Sequence, residues 1–355
     1  MMSPRWWRRA RHRTLERATG VVGALSMSLA CSGCGSPPVP TGRYSAVGGM
    51  GPDGRSLYVA GGGSSDGVLS DAWRFDLATR TWERLGDLPR PMLRGTATLV
   101  DRDLWVFAGE DGDFHDTADL WRWNLDTDTW ESIDAIGDWP APRKKHQAVA
   151  VDGQVLVHGG QQNDGDPDVV LGDLWTWDPI QRRWTEQLGK GGPAGSWRQG
   201  MATDPDTGTV WLQGGYDGDD VRTDWLWSLD IDTWTWRRQL WTGDGPPPRA
   251  SHVVTAFSGE LRGGRGSWLA VWGGHATDAD AWLFDPQAGT WTDLPAEGEH
   301  PLPRDAQVSG LAADGRSLVI ACGDPASDTV PDFVCDVWSL DLVTGAWTRL
   351  AADPE

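Results

Sequence analysis

The sequence predicts an all-β protein built from six tandem units of four short strands, stacked as a solenoid or a propeller. Three observations carry this. Asp119–Trp130 (DLWRWNLDTDTW) places Trp121 and Trp123 on one side of the chain and Leu120, Arg122 and Asn124 on the other, the period of two that a strand requires. The same pattern recurs six times: a first Trp at Trp73, Trp121, Trp175, Trp227, Trp282 and Trp338, and a second nine residues later at Trp82, Trp130, Trp184, Trp236, Trp291 and Trp347. An apolar strand ending in Gly precedes each copy.

Within a unit the elements read in order. A Pro-rich linker brings an Arg (Arg43, Arg94, Arg143, Arg198, Arg249 or Arg304) and then a first strand, a. Strand b ends in a Gly pair: LYVAGG, LWVFAG, VLVHGG, VWLQGG, LAVWGG and LVIACG, at 57–62, 104–109, 155–160, 210–215, 269–274 and 318–323. The second Gly is constant; the first becomes Ala108 and Cys322. Gly there lets the backbone turn at positive φ or approach a neighbour closely. Strand c holds the first Trp and, two residues on, Phe75, Trp123, Trp177, Leu229, Phe284 or Leu340. Asp76, Asn124, Asp178, Asp230, Asp285 or Asp341 then starts a tight turn into strand d, where short Asx side chains bond their own backbone. Asp314–Arg316 and Pro205–Gly208 read as turns between a and b. No spare strand lies at either end, so closure rests on packing between units six and one, with residues 37–43 as possible contributors.

The 355 residues carry a formal charge of −20; without residues 1–30, which hold six Arg and one Glu, 25 basic and 50 acidic residues remain, a net of −25. That opposes non-specific nucleic-acid binding, and no nucleic-acid partner is expected. Arg5, Arg8, Arg9, Arg11 and Arg13 precede a thirteen-residue apolar run, Ala18–Ala30, too short to span a bilayer; residues 1–30 read as a signal peptide. SerLeuAlaCys at 28–31 resembles a bacterial lipoprotein signal, which makes Cys31 the candidate lipid anchor. Ser28 stands where that signal prefers Leu, Cys34 is a second candidate, and plain secretion is the alternative. Residues 31–42 form a stiff tether and 351–355 a short tail. Cys322 and Cys335 lie at the ends of adjacent strands in the sixth unit; a disulfide is expected in an exported chain, with two buried thiols as the alternative.

The Arg, the Gly pair, the Asp before the first aromatic (Asp71, Asp119, Asp173, Asp280, Asp336) and the ThrTrp of strand d resemble the kelch repeat, over about Arg43 to Leu350. Trp225 stands where the fourth copy should have Asp, and Trp replaces the usual Tyr of strand c. The resemblance implies a six-bladed β-propeller, four antiparallel strands per blade, with blades near 43–88, 94–138, 143–190, 198–242, 249–296 and 304–350. The d–a linkers and b–c loops then share one face.

Two readings exist for the arginine row: a ring gripping an anion at the channel mouth, or structural groups each tied to an acid or a carbonyl. Because a site should break the symmetry, the deviant positions are the ligand-face candidates: Arg94, Arg143, Lys144 and His146 (with Lys145 between them), Trp197, Arg198, Arg249, His252 and Arg304, and Trp139 and Trp241 in the linkers. The acidic b–c loops lack EF-hand spacing and read as a solvated rim; no metal, cofactor or catalytic residue is expected. The leading expectation is a non-catalytic, monomeric binding module that presents its loop face to a protein or glycan at the cell envelope. The alternative is a periplasmic sugar mutarotase resembling the kelch-type N-acetylneuraminate epimerase, separable by an asymmetric set of Arg and Glu or Asp in the central pocket. A galactose-oxidase-like enzyme, which needs two Tyr and two His around copper, fits poorly: Tyr44, Tyr58 and Tyr216 are the only tyrosines and Tyr58 is an ordinary strand-b residue.

Overall fold

A computed structural model of the protein describes residues 38–134, 136–163, 168–261, 264–275, 280–296, 298–325 and 333–353. The signal segment and Cys31 lie outside these residues. Six antiparallel sheets follow one another, each with its four main strands in the order a–b–c–d. Blade one uses Val47–Met50, Ser56–Ala60, Ala72–Asp76 and Thr81–Leu85; blade six uses Val308–Leu311, Ser317–Pro325, Val334–Asp341 and Trp347–Ala351. This is a six-bladed β-propeller. Among the described residues no strand from one end of the chain joins the sheet at the other.

The repeated tryptophans pack where the sequence places them. In every blade the apolar residue two after the first Trp sits directly across from the second Trp: Phe75 from Trp82, Trp123 from Trp130, Trp177 from Trp184, Leu229 from Trp236, Phe284 from Trp291 and Leu340 from Trp347. Directly opposed aromatic side chains in an antiparallel pair touch, and Trp123 stacks on Trp130 with ring centres 4.5 Å apart. None of the twelve indoles is exposed; Trp130, Trp227, Trp282 and Trp347 are partly buried and the other eight buried. Apolar side chains of the described residues gather in six clusters, and each joins two adjacent blades, including blades six and one. A blade therefore completes its core only when its neighbours seat against it.

Turns and edges follow from local chemistry. Asp76 Oδ1 accepts the Ala78 and Thr79 amides at 2.9 and 2.7 Å, and Asp178, Asp285 and Asp341 repeat the arrangement. The outermost strand of a blade would leave an open edge. In blades three, four and five it receives a parallel bridge from the preceding linker, through Ile136 to Arg183, Lys190 to Thr235 and Thr242 to Thr290.

Candidate functional site

The axis is lined by six residues, each two positions before strand a of its blade: Ser45, Arg94, Lys145, Arg198, Ser251 and Ala306. All six have φ between 50° and 60°, a region that side-chain-bearing residues enter at a cost. The turn is compensated by a closed ring of backbone hydrogen bonds. Each amide donates to the carbonyl one blade back: Arg94 to Ser45, Lys145 to Arg94, Arg198 to Lys145, Ser251 to Arg198, Ala306 to Ser251 and Ser45 to Ala306, at 2.8–3.1 Å.

A second ring lies outside the first. The amide of the constant Gly of each blade (Gly62, Gly109, Gly160, Gly215, Gly274, Gly323) donates at 2.8 Å to the carbonyl of Met92, Arg143, Ser196, Arg249, Arg304 and Arg43 respectively. These glycines have φ of 90–124°, and a Cβ on Gly160 would sit 2.7 Å from the Lys144 carbonyl oxygen. The preceding position has φ of 55–73°, which Ala108 and Cys322 also adopt. This explains why only the second Gly is constant.

The arginine row divides in two. Arg43, Arg143, Arg249 and Arg304 are fully buried two positions before the inner ring. Arg143 donates to both carboxylate oxygens of Asp173 at 2.7 and 2.6 Å, to the Gly159 carbonyl at 3.1 Å and to that of Ala141 at 3.1 Å. Trp175 Nε1 donates to the same carboxylate at 2.8 Å. Arg43–Asp71–Trp73 and Arg304–Asp336–Trp338 repeat the triad, and Arg249 lies 3.8 Å from Asp280, which takes the Trp282 indole N–H. The indole N–H of strand c is thus a further donor to the Asp, beside the guanidinium. Burial takes Arg143, Arg249 and Arg304 off the ligand face. Met92 and Ser196 occupy the structural position in blades two and four, so Arg94 and Arg198 belong to the inner ring instead.

The inner ring opens into a funnel of about 120 Å³. Its lining is lopsided. Arg94, Lys145 and Arg198 come from three consecutive blades; Ser251, Ala306 and Ser45 complete the circle. Arg94 is ion-paired with Glu110. Lys145 Nζ donates to Gln161 Oε1 at 2.7 Å and lies 4.6 Å from the centre of the Trp197 ring, which stacks on Tyr216 at 4.3 Å. Arg198 donates to Ser251 Oγ at 3.0 Å and approaches His275 Nε2 at 3.1 Å; His275 also pairs with Asp305. Burial first, then the charges of Arg198 and Arg94, hold the Lys145 amine well below its ordinary lysine value. Lys144, next in sequence, is buried against Glu110 at 3.0 Å and Asp116 at 3.2 Å and faces Asp168 at 3.7 Å.

Of the remaining candidates, His146 and His252 also line the funnel. Both are buried; burial, reinforced by Arg143, pushes His146 down to about 3, and burial and Arg249 depress His252 as well. His146 Nε2 lies 2.9 Å from Thr96 Oγ1. Trp197 is buried, while Trp139 and Trp241 pack against Trp184 and Trp291 of the following blades. Cys322 and Cys335 form the disulfide expected of them. Tyr216 and His275, each the residue after the constant Gly, contact Trp197 and Arg198 respectively, and neither was a ligand-face candidate; their fixed distance from the Gly pair is the signal that locates them.

Comparison with known proteins agrees with this fold. A family model described as the KLHDC2/KLHL20/DRC7 Kelch-repeats domain matches residues 29–203 and 190–355. The chain belongs to the kelch-repeat family. It is 33% identical over 256 residues to Tip elongation aberrant protein 3 of Schizosaccharomyces pombe, an alignment covering 68% of this chain and 20% of that protein. It is 24% identical over 271 residues to the Leucine-zipper-like transcriptional regulator 1 homolog of Drosophila melanogaster, covering 70% and 26%. The alignments take in between 8% and 30% of the length of these and the other curated relatives it matches. The solved structure of YjhT superposes with a TM-score of 0.67 at 18% identity, covering 88% of this chain and 98% of that one, and shares the fold.

Proposed function

We propose that the propeller is a binding module whose funnel takes an anionic end group, a carboxylate, presented to the loop face by a protein or glycan. The kelch propeller suggests a protein-binding scaffold, and the polarised funnel supplies the chemistry. The observation that carries the reading is the arc of three basic side chains, two of them guanidinium groups, facing two serines and an alanine in one small opening. Guanidinium groups suit planar oxyanions, and an asymmetric ring selects an orientation. Size decides what enters. Sites for whole small molecules measure roughly 300–1,000 Å³, whereas this funnel of about 120 Å³ admits an end group with the rest of the ligand outside. In this reading the signal segment exports the chain and a lipid on Cys31 holds it, as a monomer, at the cell envelope; metabolic labelling with a fatty-acid analogue, lost in Cys31→Ser, tests that part.

The test of the site is a binding screen against carboxylate-terminated peptides and acidic glycans, using the wild type and an Arg94→Gln/Arg198→Gln variant. Ligands that bind the wild type should weaken at least tenfold in the variant, about 1.4 kcal/mol. Ligands indifferent to both substitutions would contradict the assignment. A second reading, a sugar mutarotase, draws on the Arg94–Glu110 and His275–Asp305 pairs, an asymmetric acid–base set in contact with the ring residues Arg94 and Arg198. Proton NMR of sialic acid anomer equilibration decides it: acceleration by the wild type, lost with Glu110→Gln, would displace the binding-module reading.

A further inference from the structure

Blade five breaks the repeat on the face opposite the funnel. In blades one, two and six, strand b begins level with the Asx of the c–d turn, where Ser56, Asp103 and Ser317 pair with Asp76, Asn124 and Asp341. In blade five the a–b hairpin, Val253–Leu261 and Gly264–Trp272, runs on past that level. Residues 264–267 project roughly 13 Å beyond the turn, at about 3.3 Å per residue, and Trp268 takes the place of the short polar residue. Ser267 Oγ fastens the extension to blade four by donating to Asp204 Oδ1 at 3.0 Å.

Between the projecting strand and the c–d turn lies a notch of about 190 Å³. Gly266 keeps it open: within 4 Å, a Cβ there would meet only Gln287 Nε2, at 3.6 Å. Trp268 lines it with 9% of its surface exposed, and its indole N–H has no acceptor among the described residues. A buried donor without a partner calls for one. Arg265, Asp285, Gln287 and Thr290 supply the other polar groups. Asp285 Oδ1 caps its own turn through the Gln287 and Ala288 amides. Its Oδ2, the Arg265 guanidinium, the Gln287 amide and the Thr290 hydroxyl bond nothing else among the described residues. One guanidinium and one carboxylate balance, so the lining favours neither sign of ligand charge. Ligand hydroxyls, each both donor and acceptor, match such a mixed set. A ring with an apolar face and a polar rim suits an indole beside them. The volume is below the roughly 300–1,000 Å³ of a site that encloses a whole drug-sized molecule, and it admits one ring.

We propose that this notch binds one neutral pyranose unit of a glycan. It is separate from the funnel and does not rest on the anionic end-group reading. The test titrates the whole chain with the methyl glycosides of glucose, galactose, mannose and N-acetylglucosamine, read by saturation-transfer NMR and calorimetry. At least one should bind, at one site per chain. Gly266→Val fills the notch. The strand backbone there lies outside the positive-φ range and β-branched side chains suit strands, so the melting temperature should hold while sugar affinity falls at least tenfold. Arg265→Ala/Gln287→Ala removes only exposed side chains and should weaken binding likewise; it decides alone if Gly266→Val melts early. Glutarate binding at the funnel should stay unchanged in both variants. No binding by any of the four glycosides would overturn the proposal, as would binding that persists in the variants. Sugar binding lost in Arg94→Gln/Arg198→Gln but kept in Gly266→Val would put the sugar in the funnel and overturn it as well.

Discussion

At the scale of single residues, the same residue type does two jobs in this protein and burial separates them. Arg43, Arg143 and Arg304 are spent on Asp71, Asp173 and Asp336. Removing one partner leaves a buried charge uncompensated, and Arg143→Ala should cost about 3–5 kcal/mol in urea unfolding. Arg182→Ala, on an exposed pair with Glu131, should cost well under about 1 kcal/mol. The buried histidines give the molecule a pH dependence. His146 stays neutral when folded, down to about pH 3, but takes a proton near 6.5 when unfolded. Its folded pKa is depressed, so its contribution is intact above 6.5 and declines as pH falls towards 3, by about 1.4 kcal/mol per unit. Asp71 and Asp173 add to the loss only at lower pH. Burial raises them, yet hydrogen bonds from Arg43 and Arg143 outweigh it, and the net shift is downward. Gln199 and Gln307 fill the position of His146 in blades four and six. His146→Gln should therefore be tolerated at pH 7 and should flatten the fall between 6.5 and 4 in pH-dependent unfolding; an unchanged slope would show that the imidazole is protonated in the fold.

At the scale of elements, the strands were legible in the sequence and the register of the linkers was not. Tryptophan spacing placed strands c and d of every blade, because a side-chain period of two and a nine-residue repeat leave one antiparallel pairing. The linkers before strand a vary in length, and counting forward from proline put six arginines in one row. Counting back from strand a separates them: Ala46, Gly95, His146, Gln199, His252 and Gln307 align, and with them the inner ring. Arg94 and Arg198 stood out in the sequence, but their grouping with Lys145 in one ring was hidden, because the ring takes one residue from each of six distant segments and no local motif spans them. The Gly pair shows how backbone constraint becomes sequence. Ala108→Gly should change stability by about 1 kcal/mol or less. Gly109→Ala, at φ 106° with the Leu93 carbonyl oxygen 2.6 Å from the new Cβ, should cost several times as much, about 1–3 kcal/mol for the backbone alone plus the clash. Equal costs in thermal unfolding would remove that explanation.

At the scale of the whole molecule, closure uses the same bonds at the last junction as at the others. Gly323 donates to the Arg43 carbonyl, the Arg43 amide donates to Val334 at 3.3 Å, and Ser45 donates to Ala306. The disulfide joins Cys322 and Cys335, the immediate neighbours of Gly323 and Val334, and so ties together the two strand ends that hold the start of the propeller. With its cysteines 13 positions apart, it should contribute about 3 kcal/mol. Reduction, or Cys322→Ala/Cys335→Ala, should speed hydrogen exchange first in residues 43–50 and 308–325. Uniform acceleration across all six blades would mean that the ring opens elsewhere.

The lopsided funnel is the claim on which the functional account stands, and calorimetric titration with a short dicarboxylate such as glutarate tests it most directly. The account predicts one site per chain, lost in Arg94→Gln/Arg198→Gln and unchanged in Arg182→Gln on the outer edge. Binding that survives the double substitution, or that follows the outer arginine instead, would contradict it.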